Sequence, residues 1–283
     1  MNVSEGRHDS AIDAMCDASG AALLDVHRDH DHNRSVLTIA GGSHTTLTAA
    51  RRLAAAAAAN LDLSNHDGVH PRLGVLDVVP FVALDGTLGS RATAAARAFA
   101  TWWSIVYGVP CFFYDDADPE GRDLPSVRRE AFIERAPDLG PSKPHPRLGA
   151  TAVGARPPLV ALNCVLGGGV VEDARAIARA ARERDGGMPG VRALGFWLAS
   201  RDRPQVSMNL VDLEQTGLER AAAHIAELAE ARGLSVSEIE LVGLLPAAEL
   251  ARCGAAVRAA AGLDAERTIE GRIEAARPPA GTV

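Results

Sequence analysis

The chain has 283 residues, of which 47% are hydrophobic and 23% are charged, as in an ordinary soluble globular protein. Its formal net charge of −7 disfavours a nucleic-acid-binding function, but it is compatible with a local basic pocket for an anionic small molecule. The length fits one large domain or two small ones. We therefore expect a globular protein without a nucleic-acid partner.

The four cysteines lie far apart in the sequence, and none has the CxxC spacing of a common zinc site. This pattern also argues against a disulfide scaffold, so a cytoplasmic location is expected. The N-terminus is polar, with Ser4, Glu5 and Arg7 where a signal peptide would be apolar. The apolar run at residues 54–59 is too short to span a bilayer, so no membrane partner is expected.

The first part of the chain predicts one βαββαβ unit of the ferredoxin-like type, with an extra helix and strand. Apolar periodicity and Gly or Pro boundaries indicate its elements. In chain order they are a stub of a first strand, a helix at 8–19, strands at 21–27 and 34–40, a helix at 45–61, a strand at 73–82, a helix at 89–107 and a strand at 109–114. Ser43 is predicted to cap the 45–61 helix, and Pro80 and Gly86 to bound the 73–82 strand.

Residues 115–149 differ in composition from the preceding elements, because they are rich in Pro and Gly, and we predict that they are not regular structure throughout. A long irregular segment inside a compact protein is usually functional or disordered. The sequence His-Pro-Arg-Leu-Gly occurs at residues 70–74 and again at 145–149. We interpret the repeat as two copies of one turn that face the same cleft.

The pattern then restarts and predicts a second βαββαβ unit. Its elements are a strand at 159–166, a helix at 170–185, strands at 191–199 and 205–213, a helix at 217–232 and a strand at 238–245, followed by a helix at 246–261 and a loose tail beyond Pro278. The predicted fold class is therefore α+β, with two ferredoxin-like βαββαβ subdomains at residues 1–155 and 156–283. A ligand cleft is expected between them.

The stretch 68–81 joins a polar turn to an apolar strand. Pro71 disfavours helix at His70, which is therefore predicted to lie on extended or turn backbone just ahead of a buried strand. A histidine held there can still be reached by a ligand, and its unperturbed pKa of about 6.5 suits acid–base chemistry. The alternative is a polar turn residue without a catalytic role.

Residues 25–34 contain three histidines and three aspartates. Both residue types bind zinc, nickel and iron, so a metal-dependent hydrolase using His27, His30 and His32 is one hypothesis. A solvated hairpin turn between two strands is the other. We favour the turn and predict no metal.

The sequence Gly-Val-His-Pro-Arg-Leu-Gly-Val-Leu-Asp-Val-Val-Pro-Phe at 68–81 resembles the signature of the glutamate formimidoyltransferase family, which includes the transferase part of formimidoyltransferase-cyclodeaminase. Similar segments follow the family order along the chain, at residues 2–6, 23–26, 31–36, 138–141, 149–156, 205–210 and 240–244. The family's opening segment closes a first strand that is mostly absent here. We therefore expect either a start upstream or a stub.

The resemblance implies transfer of a formimidoyl group from N-formimidoyl-L-glutamate to N5 of tetrahydrofolate, a step of histidine degradation and one-carbon metabolism. It implies His70 as the general base, tetrahydrofolate as co-substrate and no metal. Lys143 and Arg147 would bind the glutamyl carboxylates of the folate. The implied folate-binding residues are Gly140, Pro141, Ser142, Lys143, Pro144, His145, Pro146, Arg147, Leu148 and Gly149.

The candidates for binding substrate carboxylates are Arg34 and Arg72, and the supporting candidates are Asp25, His27 and Asn33. Family members commonly have an aspartate, thought to support catalysis, at the position of His27, and Asp25 or Asp29 is a candidate replacement. Three alternatives stay open: a folate-binding paralogue without transferase activity, a transferase that uses formylglutamate, and the metal-dependent hydrolase. The resemblance also leaves a homodimer open.

Overall fold

The computed structural model of the chain describes residues 1–84 and 89–277. The chain divides into two compact units, residues 1–157 and 158–283. The predicted strand boundary at Gly86 and the predicted loose tail beyond Pro278 lie outside the described residues. No helix in the described parts of the chain is long and apolar enough to cross a membrane.

The first unit begins with a βαββαβ arrangement. Its elements are β1 (Asn2–Val3), α1 (Asp9–Ser19), β2 (Leu23–Asp29), β3 (Arg34–Ile39), α2 (Ser43–Asn60) and β4 (Leu76–Phe81). The strands lie in the order β2-β3-β1-β4, and every neighbouring pair is antiparallel. This arrangement confirms the predicted ferredoxin-like fold. The short first strand lies at the centre of the sheet.

Four further elements extend this unit: α3 (Gly89–Tyr107), β5 (Cys111–Asp115), α4 (Leu124–Glu130) and β6 (Thr151–Ala155). The added strands run parallel, in the order β4-β6-β5. Neither β6 nor the short helix α4 is among the elements predicted from the sequence, and most of the Pro- and Gly-rich segment around α4 has no regular structure. Asp123 starts α4 by accepting the Ser126 N–H at 2.9 Å. The predicted cap on α2 is also wrong, because Gly42 holds the capping position without a side-chain bond.

Helices α1 to α3 cover one face of this sheet. The large side chains buried there are Ile12, Met15, Leu37, Leu53, Phe99 and Trp103. Helix α4 covers part of the opposite face, where Val127 packs with Phe112 and Tyr114. The register of β1 to β3 places His27, Asp29 and Arg34 on that opposite face. These three polar residues therefore lie on the side of the sheet away from α1 to α3.

Gly154 on β6 lies against the ring of Tyr114, and an added Cβ would come within 2.3 Å of Tyr114 Cζ. Tyr114 is buried and cannot move aside. We therefore expect Gly154→Ala to lower the free energy of unfolding by about 1–3 kcal/mol, measured by chemical denaturation. Gly168 has no atom within 4 Å of an added Cβ, so Gly168→Ala is the matched control. Equal stability of the two variants would contradict the close approach of Gly154 to the Tyr114 ring.

The second unit repeats the arrangement with β7 (Val160–Leu166), α5 (Val171–Ala181), β8 (Val191–Leu198), β9 (Arg203–Leu210), α6 (Leu218–Glu230) and β10 (Val236–Val242). Its strands are antiparallel in the order β10-β7-β9-β8. This is again the ferredoxin-like order, so the second predicted subdomain fold is confirmed. Its core lies between the sheet and the two helices.

The predicted final helix is wrong. Two short helices, α7 (Ala247–Arg252) and α8 (Ala255–Ala260), replace it. They separate at Gly254, whose N–H donates to Glu219 Oε2 at 2.7 Å. A further helix, α9 (Ile269–Ala275), was not predicted; Thr268 caps it by accepting the Gly271 N–H at 3.0 Å.

Candidate active site

His70 lies on irregular backbone between α2 and β4, as its place before Pro71 predicted. Its Nδ1 is 2.7 Å from the carbonyl oxygen of Pro71. Because a carbonyl oxygen can only accept a hydrogen bond, Nδ1 carries the proton of the neutral ring and the lone pair lies on Nε2. Nε2 is therefore the atom that can take a proton from a substrate.

Arg34, the first residue of β3, lies beside that nitrogen, with Nη1 at 3.5 Å from Nε2 of His70. Its Nη2 donates to Oδ1 of Asn2 on β1. Its Nε is buried and has no hydrogen-bond partner among the described residues. Burial lowers the pKa of Arg34 to about 10, against the opposing effect of Asp77, so the guanidinium stays charged at neutral pH. The structure thus brings two predicted site residues together, a neutral imidazole and a charged guanidinium.

The pKa of His70 lies well below its ordinary value of 6.5. Burial is the main cause, because it disfavours the charged imidazolium. Arg34, Arg128 and His32 lower the pKa further, while the hydrogen bond to Pro71 acts in the opposite direction. His70 is therefore unprotonated at neutral pH and ready to act as a base.

An ion pair between buried Asp77 and mostly buried Arg128 fixes the backbone that follows His70. Asp77 on β4 is buried, and its Oδ2 lies 2.6 Å from Nη2 of Arg128 on α4. Asp77 Oδ1 accepts the Leu73 N–H at 2.8 Å, and Arg128 Nη1 donates to the Pro71 carbonyl at 3.2 Å. The pair therefore orients the same carbonyl that sets the tautomer of His70. Neither residue is among the site residues predicted from the sequence.

Asn33, a predicted supporting residue, joins the turn between β2 and β3 to the loop that leads to His70. Its Oδ1 accepts the Gly6 N–H at 2.9 Å, and its Nδ2 donates to the Asp67 carbonyl at 2.8 Å. Its own carbonyl oxygen is 2.9 Å from Nε2 of His66. Asn33 is buried and has a φ of 46°, in the left-handed region that asparagine tolerates. Its amide is therefore occupied in holding the loop.

The other supporting candidates, Asp25 and His27, lie on β2, where His27 pairs with Val36 of β3. Their catalytic roles stay predictions. His32 is a neighbour of His70 that is not among the predicted site residues. Its ring lies against that of His70, with centroids 5.9 Å apart and planes at 74°. A histidine in a charged segment is usually predicted to be a solvated turn residue, yet His32 is only 5% exposed.

Arg72 braces the loop that carries His70. Its Nη2 donates to the carbonyl oxygens of Gly68, at 2.6 Å, and of His70, at 2.9 Å. Burial lowers the pKa of Arg72, and Asp77 and Asp67 oppose that effect. These bonds give Arg72 a structural task, and its predicted contact with a substrate carboxylate stays a prediction.

The predicted folate segment ends in a closed turn. The backbones of His145 and Gly149 exchange two hydrogen bonds of 2.8 Å, and His145 Nδ1 accepts the N–H groups of Arg147 and Leu148. Gly149 forms a β-bridge to Gly74, so the two His-Pro-Arg-Leu-Gly segments are neighbours. They are not two copies of one turn, because Nδ1 is a donor in His70 and an acceptor in His145.

A cavity of about 430 Å³ lies beside this closed turn, within the first unit. Alanines 55, 58 and 59 of α2 and Tyr107 of α3 form much of its wall, together with Arg147, which also donates to the Ala58 carbonyl. Lys143 is exposed. Small apolar side chains beside one cation suit a ligand with a flat apolar body and a carboxylate.

Across residues 1–84 and 89–277, no group of three or more His, Cys, Asp or Glu side chains is arranged to hold a metal ion. Within the histidine-rich turn, Nδ1 of His32 is 2.6 Å from Asp29 Oδ2, and the His30 side chain is exposed. This geometry gives the metal-dependent hydrolase hypothesis no support.

Comparison with known proteins follows the division of the chain. Residues 1–156 match the formiminotransferase domain, N-terminal subdomain, and residues 161–260 match the formiminotransferase domain. The chain is 37% identical over 264 residues to glutamate formimidoyltransferase of Streptococcus pyogenes serotype M1, covering 88% of each chain. It is 35% identical over 262 residues to the Thermoplasma acidophilum protein of the same name, covering 87% of this chain and 86% of the relative.

A longer relative shows the same similarity. The chain is 38% identical over 266 residues to formimidoyltransferase-cyclodeaminase of Sus scrofa, covering 87% of this chain and 49% of the relative. The match spans both units of the structure and includes the segment around His70. The chain therefore belongs to the formiminotransferase family.

Proposed function

We propose that this chain transfers the formimidoyl group of N-formimidoyl-L-glutamate to N5 of tetrahydrofolate, with His70 as the general base. The names of the similar proteins support the reaction. The observation that carries the assignment of the base is the neutral imidazole whose Nε2 lone pair lies beside Arg34. Tetrahydrofolate is a co-substrate in this proposal.

The reaction needs one proton to be taken and returned. N5 of tetrahydrofolate attacks the formimidoyl carbon, forms the N5–C bond and loses its proton to Nε2 of His70. The bond from that carbon to the glutamate nitrogen then breaks, and the imidazolium returns the proton to the leaving nitrogen. The products are glutamate and 5-formimidoyltetrahydrofolate. A base with a low pKa returns its proton readily, which suits the second step.

Both substrates carry carboxylates, so the site needs cations in fixed positions. We assign a carboxylate of formimidoylglutamate to Arg34, because its buried Nε has no partner among the described residues and its Nη1 lies beside His70. We assign the glutamyl tail of the folate to Lys143 and Arg147. The alanine wall beside Arg147 would pack against the benzoyl ring of the folate. Holding both reactants in line would supply much of the rate enhancement.

The assignment of Arg34 predicts a binding defect. Arg34→Gln should raise the KM for formimidoylglutamate roughly tenfold or more, because it removes a charged hydrogen bond. Steady-state kinetics with saturating tetrahydrofolate measures this change. The control is Arg28→Gln, because Arg28 lies on the neighbouring strand and pairs with Asp9 and Asp13 of α1. A KM raised equally in both variants would contradict the assignment.

The function itself is tested by mixing the purified protein with formimidoylglutamate and tetrahydrofolate and following glutamate release and 5-formimidoyltetrahydrofolate formation. We expect turnover with this donor. Faster turnover with formylglutamate would replace the donor in the proposal. Folate binding without turnover of either donor would favour the non-catalytic paralogue.

A further inference from the structure

We propose that Asp29 and His32 form a dyad that positions His70 and supplies the negative charge that its protonated form needs. The inference rests on the proposed role of His70 as the base. It assigns a function to the last residue of β2 and to a residue of the β2–β3 turn, both of which lie outside the motif around His70.

Asp29, the last residue of β2, holds His32 at two points. Its Oδ2 is 2.6 Å from Nδ1 of His32, and its Oδ1 accepts the backbone N–H of His32 at 2.8 Å. The two side chains are only 16% and 6% exposed. Since a carboxylate oxygen only accepts, Nδ1 of His32 carries a proton and the plane of the ring is fixed.

The fixed ring of His32 packs against His70. The two rings are close to perpendicular, with centroids 5.9 Å apart. The Pro71 carbonyl holds His70 at Nδ1, and His32 restricts the plane of its ring from a second direction. Two constraints from different elements fix where Nε2 points. Such orientation matters for a base, because a displacement of about 1 Å can cost roughly a hundredfold in rate.

The charges around His70 explain why a carboxylate is needed. His70 is faced by Arg34 on β3, Arg128 on α4 and His32 in the turn, with the carboxylates of Asp77 and Asp29 behind them. Arg128 is already paired with Asp77. Burial alone would raise the pKa of Asp29, but the bonds from His32 lower it overall, so Asp29 is ionised at neutral pH. Asp29 also raises the pKa of Arg34, and in this proposal its charge partly offsets the cations when His70 accepts a proton.

In the alternative interpretation, Asp29 and His32 only close the hairpin turn and have no effect on His70. The two readings differ in what they predict for kinetics. Closing the turn affects stability alone, whereas a positioning dyad changes kcat and the pH at which activity is lost. The test therefore needs variants that keep the turn bonded.

The variants are His32→Asn, whose amide can still donate to Asp29, and Asp29→Asn, which removes the charge while its Oδ1 can still accept the backbone N–H of His32. We expect each to lower kcat roughly tenfold to a hundredfold with little change in KM. The acid limb of the kcat/KM profile should move up in pH for His32→Asn, because the ring that buries His70 and lowers its pKa is gone. It should move down for Asp29→Asn, because the imidazolium loses a nearby negative charge.

The matched control is His30→Asn, an identical change at an exposed histidine of the same turn, with kinetics expected to equal those of the parent protein. Wild-type kcat and an unmoved acid limb in Asp29→Asn would overturn the dyad, and this variant decides the matter if His32→Asn does not fold. His70→Ala, run alongside, separates the two proposals. If it is inactive while the dyad variants behave as the parent, only the dyad fails. If it retains turnover, the base assignment fails and the dyad with it.

Discussion

Replacing His70 with alanine is expected to lower kcat roughly a hundredfold or more while leaving the protein folded. The imidazole is the only part of this residue placed to take the proton, through Nε2 beside Arg34. The KM values should change little, because the proposal gives substrate binding to the arginines. Steady-state kinetics with both substrates, together with thermal unfolding, measures the loss.

His70→Asn is the informative second variant. Its amide can donate to the Pro71 carbonyl, as Nδ1 does at 2.7 Å, but it cannot accept a proton at neutral pH. If the ring acts as a base, the asparagine variant should be as slow as the alanine variant. If the ring only ties down the loop, asparagine should restore much of the activity, and the base assignment would then be wrong.

Removing Asp77 is expected to have the largest effect on stability. Asp77→Ala should lower the free energy of unfolding by about 3 kcal/mol, the low end of the range for a buried pair, because Arg128 is 18% exposed and loses its partner. The kcat should fall as well, since Asp77 and Arg128 hold the backbone of residues 71–73. Denaturant unfolding and steady-state kinetics measure the two effects.

The control is an ion pair at the surface with a similar distance between its charged atoms. Arg201 and Glu238 are 2.8 Å apart with both side chains about half exposed, so Glu238→Ala should change the free energy of unfolding by less than about 1 kcal/mol. If both variants lost the same free energy of unfolding, the larger contribution assigned to the Asp77–Arg128 pair would be contradicted.

A double variant separates stability from orientation at this pair. Asp77→Leu combined with Arg128→Met removes both charges and should recover much of the lost stability. It should not recover kcat, because the Pro71 carbonyl still lacks the N–H of Arg128 and the Leu73 N–H still lacks the carboxylate of Asp77. Full recovery of kcat would show that the pair serves the fold alone.

Both ferredoxin-like units could be predicted from the sequence, because the alternation of helical and strand periodicity is clear in each. Strand β6 was missed because it is made of small residues, and Gly154 within it is required by the Tyr114 ring, which lies far away in sequence. The short helix α4 was hidden by the surrounding Pro and Gly residues. The final helix was predicted too long, because Gly254 breaks it through a bond to a distant glutamate.

Contacts between residues far apart in the sequence also limited the prediction of the candidate site. His70 and Arg34 were predicted from a family signature, and the structure brings them together. Asp77 and Arg128 are 51 positions apart, and no local sequence pattern indicates an ion pair at that separation. His32 was missed because charged turns are usually solvated, whereas the loop around Gly68 covers this one: an added Cβ on Gly68 would lie 2.6 Å from the His32 carbonyl.

The most direct test of His70 as the base is the pH dependence of kcat/KM in the parent protein and in His70→Asn. A base whose pKa lies below 6.5 is unprotonated above that value, so the parent profile should be flat near pH 7 and fall as the pH drops through the lowered pKa. The assignment of His70 as the base predicts that this acid limb is absent from the residual activity of His70→Asn. The same limb in both proteins would contradict it, because the group that titrates would then not be His70.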